Sequence, residues 1–368
     1  MLSSSTRREG ALQADDRIRD SIIPNRLSGV LSKDIGGDIR QRRIQAWLEQ
    51  LRPRRQVEVA PASADASFRR YLRATFDDGE VRVVMDAPPS HEDVRPWLHV
   101  QRLFHAAGVH VPEVLAEDLA DGFLLLSDLG SITYLASLDE ANADEHYRAA
   151  IDTLIKIQLA SRPEELPPYD RALLKRELDL FPDWYLAKHG AKPLTDKQRT
   201  DLEVVFEKIR AVNLGEPSVY VHRDYHSRNL MVTTPNPGVI DFQDAVYGPI
   251  SYDLVSLFKD AYVEWEEERT LDWLIRYWEK ARQSGLPVRA DFTEFHRDYE
   301  WMGVQRHVKV LGIFARLWHR DGKDGYLKNM PLVSKYLRAA CERYRDLTPL
   351  LRILDDVENR QVQMGYTF

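Results

Sequence analysis

The chain has one cysteine, Cys341, among its 368 residues. A single thiol permits no internal disulfide and no multi-cysteine zinc site, which points to a reducing compartment, the cytoplasm. Long apolar runs are missing too: nothing approaches the roughly 18 to 20 residues needed to span a bilayer. The N-terminus lacks a secretory apolar core. Basic excess is absent, since the net charge of −7 argues against a general nucleic-acid surface. No lysine stands between Lys33 and Lys156. What is present, 43% hydrophobic and 30% charged residues, describes a globular protein, and 368 residues exceed one ordinary core, so two lobes are expected. Neither a membrane, nor a nucleic acid, nor a protein partner is implied.

Residues 1–37 mix Ser, Arg, Asp and Gly with scattered apolar positions and read as a poorly ordered leader. A transit peptide is the alternative, against which Asp15, Asp16 and Asp20 count. From Asp38 onward Ile44, Trp47, Leu48 and Leu51 share a helical face, and Pro53 ends it. Val57 with Val59, Phe68 to Phe76 and Val81 to Met85 read as strands, with Asp77-Asp78-Gly79 as a hairpin turn. Ser90 reads as the cap of a helix that turns Val94, Trp97, Leu98 and Phe104 inward and closes at Gly108. Apolar segments at Val111 to Leu115 and Phe123 to Leu126 follow. From about residue 131 the spacing is helical almost to the end. The pattern predicts an α+β protein of two lobes, strand-rich over 38–130 and largely helical over 131–368.

The chemistry concentrates between Val219 and Asp253. Two short apolar strands, Val219 to Val221 and Gly238 to Ile240, each run into a carboxylate. His222-Arg223-Asp224 follows the first, Asn229 comes next, and Asp241 ends the second. An isolated Asp at a strand end is usually a cap or turn residue. The joint pattern H-x-D-x-x-x-x-N, turn residues Pro235 to Gly238, an apolar pair and D-F is far more specific. Phosphoryl transfer needs a carboxylate to orient and deprotonate the attacking hydroxyl. It also needs an amide oxygen and a second carboxylate to hold Mg²⁺ against the nucleotide phosphates. Asp224, Asn229 and Asp241 supply these in that order, which makes ATP and Mg²⁺ the expected cofactors.

With His226 in the loop, the stretch resembles the aminoglycoside phosphotransferase and choline kinase superfamily, whose loop reads H-x-D-x-H-x-x-N. That resemblance implies a protein-kinase-like bilobal fold. It implies a nucleotide loop over the small residues Pro61 to Ser67, and a hinge at Ser127-Asp128-Leu129-Gly130, whose backbone meets the adenine edge. His222 and Asp253 take the places of residues that support the loop. Met85 stands where kinases keep a strand lysine, so the phosphate-binding cation falls to Arg69, Arg70 or Arg82, with Arg69 the choice. Tyr252-Asp253-Leu254-Val255 begins a helix soon after Asp241, leaving no room for a peptide-positioning loop. The acceptor should be small.

Four segments narrow the resemblance to the bacterial N-acetylmuramate/N-acetylglucosamine anomeric kinases: VMDAPPSHEDV, HRDYHSRNLM, GVIDFQDAVYGPISYDLVSLFKDAY and RHVKVLGIFARLWHRDGKDGYL. It implies phosphorylation of the C1 hydroxyl of an amino sugar, in the recycling of peptidoglycan. N-acetylmuramate carries a lactyl carboxylate, for which His226 and Arg228 on the loop, and Arg306, His307 and Lys309 on a late helix, are candidate partners. Two alternatives stand beside it. Another small-molecule kinase would act on an aminoglycoside, choline, a ketosamine or homoserine. A non-catalytic nucleotide-binding scaffold is suggested by the missing strand lysine and opposed by the intact Asp224, Asn229 and Asp241.

Overall fold

The computed structural model describes residues 29–62 and 69–358. Ser67 and the first 28 residues of the expected leader lie outside the described residues. Those described fall into two units, one running up to Val59 and joined by Thr75–Glu80, the other comprising Ala60–Ala74 and the chain from Val81.

In the first unit, helix α1 (Gly29–Leu51) buries Ile44 and Leu48 completely. It begins before Asp38, the expected start, and runs through Gly36-Gly37. Helix propensity is a weak prior that neighbouring turns override. The turn at Asp77-Asp78-Gly79 forms as expected. Gly79 adopts φ +85° and its N–H donates to Phe76 O at 2.9 Å, while the Asp78 carboxylate accepts from Glu80 N at 3.0 Å.

The sheet has the strand order β1-β2-β3-β5-β4, built from β1 (Val57–Pro61), β2 (Arg70–Phe76), β3 (Val81–Asp86), β4 (Val114–Asp118) and β5 (Phe123–Ser127). Strands β3 and β5 are antiparallel with Met85 opposite Leu124, and β4 pairs antiparallel with β5. Gly122, at φ +71°, enters β5 where an added Cβ would lie 1.9 Å from Ala87 O, so no other residue fits there. Helix α2 (Arg95–Ala106) buries Trp97, Leu98 and Phe104 as the pattern requires. Ser90 does not cap it. The helix starts later because Pro96, lacking an N–H, suits the first turn, and the Asp93 carboxylate accepts from Arg95 N at 3.0 Å.

The rest of the second unit is mostly helical: α3 (Tyr134–Ser137), α4 (Ala143–Leu159), α5 (Arg171–Leu180), α6 (Asp196–Leu214), α7 (Tyr252–Phe258), α8 (Glu267–Gln283), α9 (Phe292–Asp321), α10 (Met330–Arg343) and α11 (Thr348–Glu358). Helix α5 runs on into a π-helical turn, Phe181–His189. Between α6 and α7 two small ladders form, β6 (Ser218–Val221) with β9 (Val246–Pro249) and β7 (Leu230–Met231) with β8 (Gly238–Val239). Helix α9 is the spine. It buries a continuous run from Asp298 to Lys309, polar residues included, and at Gly312 an added Cβ would meet the Leu180 backbone at 2.5 Å. A strand-rich part followed by a large helical part is the expected layout. No helix among the described residues is long and apolar enough to cross a membrane.

Candidate active site

Strands β6 and β8 deliver the two halves of the site, and one imidazole joins them. His222, fully buried behind β6, contacts Ile240 O through Nε2 at 3.0 Å and accepts the Asp224 backbone N–H at Nδ1, 3.2 Å away. That pair of contacts defines a neutral ring with its proton on Nε2, and burial pushes its pKa down to about 4. The residue before Asp241 is thereby tied to the backbone of Asp224.

Asn229 closes the link. Its Nδ2 donates to Asp224 O at 3.0 Å and to Asp241 Oδ2 at 3.3 Å, so Oδ1, the acceptor of the amide, has no partner in either contact. Asp241 sits at φ +64°, a left-handed conformation uncommon outside Gly, Asn and Asp, and its Oδ1 accepts from Gln243 Nε2 at 2.8 Å. Arg223, at φ +76°, makes the corresponding sharp turn after β6. Asp253, one residue into α7, holds this turn by accepting His222 N at 2.7 Å and Arg223 N at 3.0 Å. Burial nonetheless pushes the Asp253 carboxyl up to about 7. The far end of the loop is fixed by buried Asp260, which accepts both the backbone N–H and the hydroxyl of Ser227, at 3.0 and 2.5 Å.

Beneath the loop lies a charged layer on α5 and α9. Arg306 donates to Arg223 O at 2.9 Å, and Lys309 reaches Tyr252 Oη at 2.8 Å and Glu177 Oε1 at 2.9 Å. Glu177 also takes the Arg223 guanidinium at 2.5 Å and Gln305 Nε2 at 2.9 Å. Burial by itself would push the Asp224 carboxyl up. Lys309 and Arg306, with His226 and His222, outweigh it and hold the group at about 2.

A cleft of about 900 Å³ runs past this loop, with Asn229, Asp241, His226 and Arg228 on its wall. The other wall brings Arg69, Tyr71, Val83 and Ser127 to Gly130. Among the three candidate arginines, Arg69 alone reaches the cleft, where it pairs with Glu92 at 3.2 Å. Arg70 binds Asp86, and Arg82 donates to Val81 O at 3.0 Å. Met85 is fully buried core. Asp128 lines the hinge, but its carboxylate is held by Arg73 at 2.7 Å and by Gly130 N at 2.8 Å. The late-helix candidates divide: Arg306 and Lys309 underlie the loop, whereas His307 stacks on Tyr336 with ring centroids 5.4 Å apart, off the cleft wall.

Sequence reasoning missed Glu177, Arg73, Asp260, Tyr262 and Tyr326. Glu177 and Arg73 find their partners across 46 and 55 residues, so no local spacing exposes them. Asp260 was visible as an acid closing the apolar run of α7.

Residues 58–292 match the model of the phosphotransferase enzyme family. An N-acetylmuramate/N-acetylglucosamine kinase of Neisseria meningitidis serogroup B is 50% identical over 89% of this chain and 99% of its own length. A kinase of the same name from Pseudomonas aeruginosa is 48% identical over 86% of this chain and 96% of its own. Among solved structures, an ADP-bound aminoglycoside phosphotransferase superposes with a TM-score of 0.55 at 17% identity, covering 80% of this chain and 96% of that one, which shows the kinase-like fold. With the loop, the cleft and the near-full-length likeness in agreement, the chain belongs to the phosphotransferase enzyme family.

Proposed function

We propose that this phosphotransferase moves the γ-phosphoryl group of ATP to the anomeric C1 hydroxyl of N-acetylmuramate and N-acetylglucosamine. The observation that carries the reading is the near-full-length likeness to the Neisseria kinase of that name. The loop chemistry is compatible with it. Asp224, ionised at neutral pH, orients the C1 hydroxyl and takes its proton as the new P–O bond forms. A carboxylate of such low basicity suits a loose transition state, in which the hydroxyl proton is still largely held when the phosphoryl group departs.

Asn229 Oδ1 and the Asp241 carboxylate form the all-oxygen donor set that a hard divalent cation prefers, so these two residues would hold Mg²⁺. When bound, Mg²⁺ supplies neutralising charge to the transferring phosphates. Arg69, held by Glu92, is the proposed phosphate contact, together with backbone N–H groups of the segment that contains Ser67. The Arg73–Asp128 pair fixes the hinge whose backbone would meet the adenine. His222, Asp253 and Arg306 position the loop. His226, its ring against Tyr262 at 5.4 Å, walls the acceptor side. A cytoplasmic setting belongs to this reading, since ATP is supplied there.

Phosphorus NMR with ATP, Mg²⁺ and a panel of N-acetylmuramate, N-acetylglucosamine, glucose, choline and kanamycin tests the reading. An anomeric, acid-labile phosphate on the two amino sugars is expected. Phosphate appearing on another acceptor instead would overturn the substrate assignment and leave the phosphotransferase chemistry standing.

A further inference from the structure

Three arginines line the cleft: Arg69, Arg73 and Arg228. Arg69 and Arg73 each already pair with a carboxylate, Glu92 and Asp128. Arg228 is not, for among the described residues no carboxylate forms an ion pair with it. Its neighbours are two phenols. The guanidinium lies 4.9 Å from the Tyr262 ring centre and 6.0 Å from that of Tyr326, and both tyrosines also line the cleft. The two tyrosines hold the guanidinium through ring and hydroxyl without a formal negative charge to cancel its own, so it keeps a positive charge and N–H groups that can donate to an anion.

The placement is built rather than incidental. One buried carboxylate, Asp260, accepts the backbone and hydroxyl of Ser227 through Oδ2 and the backbone N–H of Tyr262, 3.0 Å away, through Oδ1. It therefore sets the residue before Arg228 and one of the two rings Arg228 rests on. Phe314 of α9 packs against both rings, with centres 5.1 Å from Tyr326 and 6.5 Å from Tyr262. A side chain with four flexible torsions is thus held on the cleft wall by the loop that carries Asp224, one residue before Asn229.

From this arrangement we infer that Arg228, framed by Tyr262 and Tyr326, is the specificity element that binds the carboxylate of an acidic acceptor sugar, selecting N-acetylmuramate over N-acetylglucosamine. The inference rests on the proposed function and deepens it: the two sugars differ by the lactyl ether, and a forked guanidinium matches a carboxylate bidentately.

The test compares kcat/KM for the two sugars in the intact enzyme and in Arg228→Met and Arg228→Lys. A charge-assisted contact of this kind is worth roughly a 10- to 100-fold preference. The ratio for N-acetylmuramate over N-acetylglucosamine should fall by about that factor in Arg228→Met and be partly restored in Arg228→Lys. N-acetylmuramate with its carboxyl converted to a carboxamide should lose the same preference in the unaltered enzyme, and this arm requires no variant to fold. A ratio that stays constant while both sugars weaken, or a KM for ATP that rises in their place, would assign Arg228 to the loop or to the phosphates and overturn the inference. So would a carboxamide handled as well as the acid. An unaltered enzyme that phosphorylates neither sugar fails at the earlier step, refuting the proposed function and the inference with it.

Discussion

Replacing Glu177 with Gln should destabilise the enzyme by about 3 to 5 kcal/mol, although the residue lies on α5, far in sequence from the reacting groups. Glu177 is 4% exposed and is the carboxylate shared by Arg223 at 2.5 Å and Lys309 at 2.9 Å. Gln keeps the shape and removes the charge. Lys309 is then left with the Tyr252 hydroxyl, and Arg223 with Asp244 O at 3.3 Å. Breaking a buried ion pair from one side costs roughly 3 to 5 kcal/mol, because the remaining charge is stranded away from water. A second route gives a similar figure. Burial opposes ionisation of Glu177, but Lys309 and Arg223 prevail and hold it at about 2 against an ordinary 4.5. At about 1.4 kcal/mol per tenfold in proton affinity, that amounts to about 3 kcal/mol.

The sign follows from linkage. The folded-state pKa is the lower one, so the contribution is complete above about pH 4.5 and is lost as pH falls toward 2. Urea unfolding of the enzyme and of Glu177→Gln should differ by a constant amount from pH 8 to about 5, then converge in acid. With an unfolding entropy of about 2.1 cal/mol/K per residue, a 4 kcal/mol loss is a melting-temperature drop of roughly 5 °C. Turnover should fall as well, since the Arg223 side chain anchors the turn that presents Asp224. A variant within about 1 kcal/mol of the parent at pH 7 would refute the reasoning, because it would mean that the two cations find compensation elsewhere.

Three other substitutions probe separate parts of the site. Asp224→Asn should leave the fold and nucleotide binding in place, at a stability cost of the same kind as Glu177→Gln but smaller, while cutting kcat by roughly 10²- to 10⁴-fold, and near-normal turnover in the purified variant would remove Asp224 from its role. Arg69→Ala should raise the KM for ATP by about tenfold or more; unchanged ATP kinetics would shift the phosphate contact to backbone amides. Burial keeps His222 at about 4 against an ordinary 6.5, so the unfolded chain takes up the proton first, and the stability is complete above pH 6.5 and lost as pH falls toward 4. His222→Gln should therefore be less stable at pH 7.5 yet decline less steeply between pH 6.5 and 4.5, and chemical unfolding across that range checks the slope.

What could be read from the sequence, and what could not, divides along distance in the chain. Asp224, Asn229 and Asp241 stand within one short stretch, and their separation is set by a hairpin whose turn residues are themselves conspicuous. The strands and the amphipathic helices were legible for the same reason, since a period of 2 or 3.6 is a local property. Boundaries were less so: Gly36-Gly37 did not stop α1, and Ser90 yielded to Pro96 as the start of α2. Arg306, His307 and Lys309 illustrate the limit of local reasoning. Three polar residues within about one turn of a helix ordinarily mark a solvated stretch. Helix α9 is covered on all sides over this run, and what makes its charges tolerable is Glu177 on α5 and the Arg223 carbonyl on the loop.

That burial has a consequence for how the proposed reaction is divided. The cations under the loop act on Asp224 and cannot meet an acceptor, because Arg306 and Lys309 are spent on Arg223 O, Tyr252 and Glu177. Charge for reading the sugar must come from the cleft side, where Arg228 rests on Tyr262 and Tyr326. The two sets share one support, Asp260, which holds both Ser227 of the loop and Tyr262, and otherwise differ: Glu177 and Asp253 hold the first, and Phe314 packs on the rings of the second. Away from Asp260, chemistry and selection can vary separately. The short 3₁₀ segment Asp324–Asn329 that carries Tyr326 can change without disturbing the turn at Arg223, and a change there should alter which acceptor is preferred before it alters whether phosphate is transferred at all.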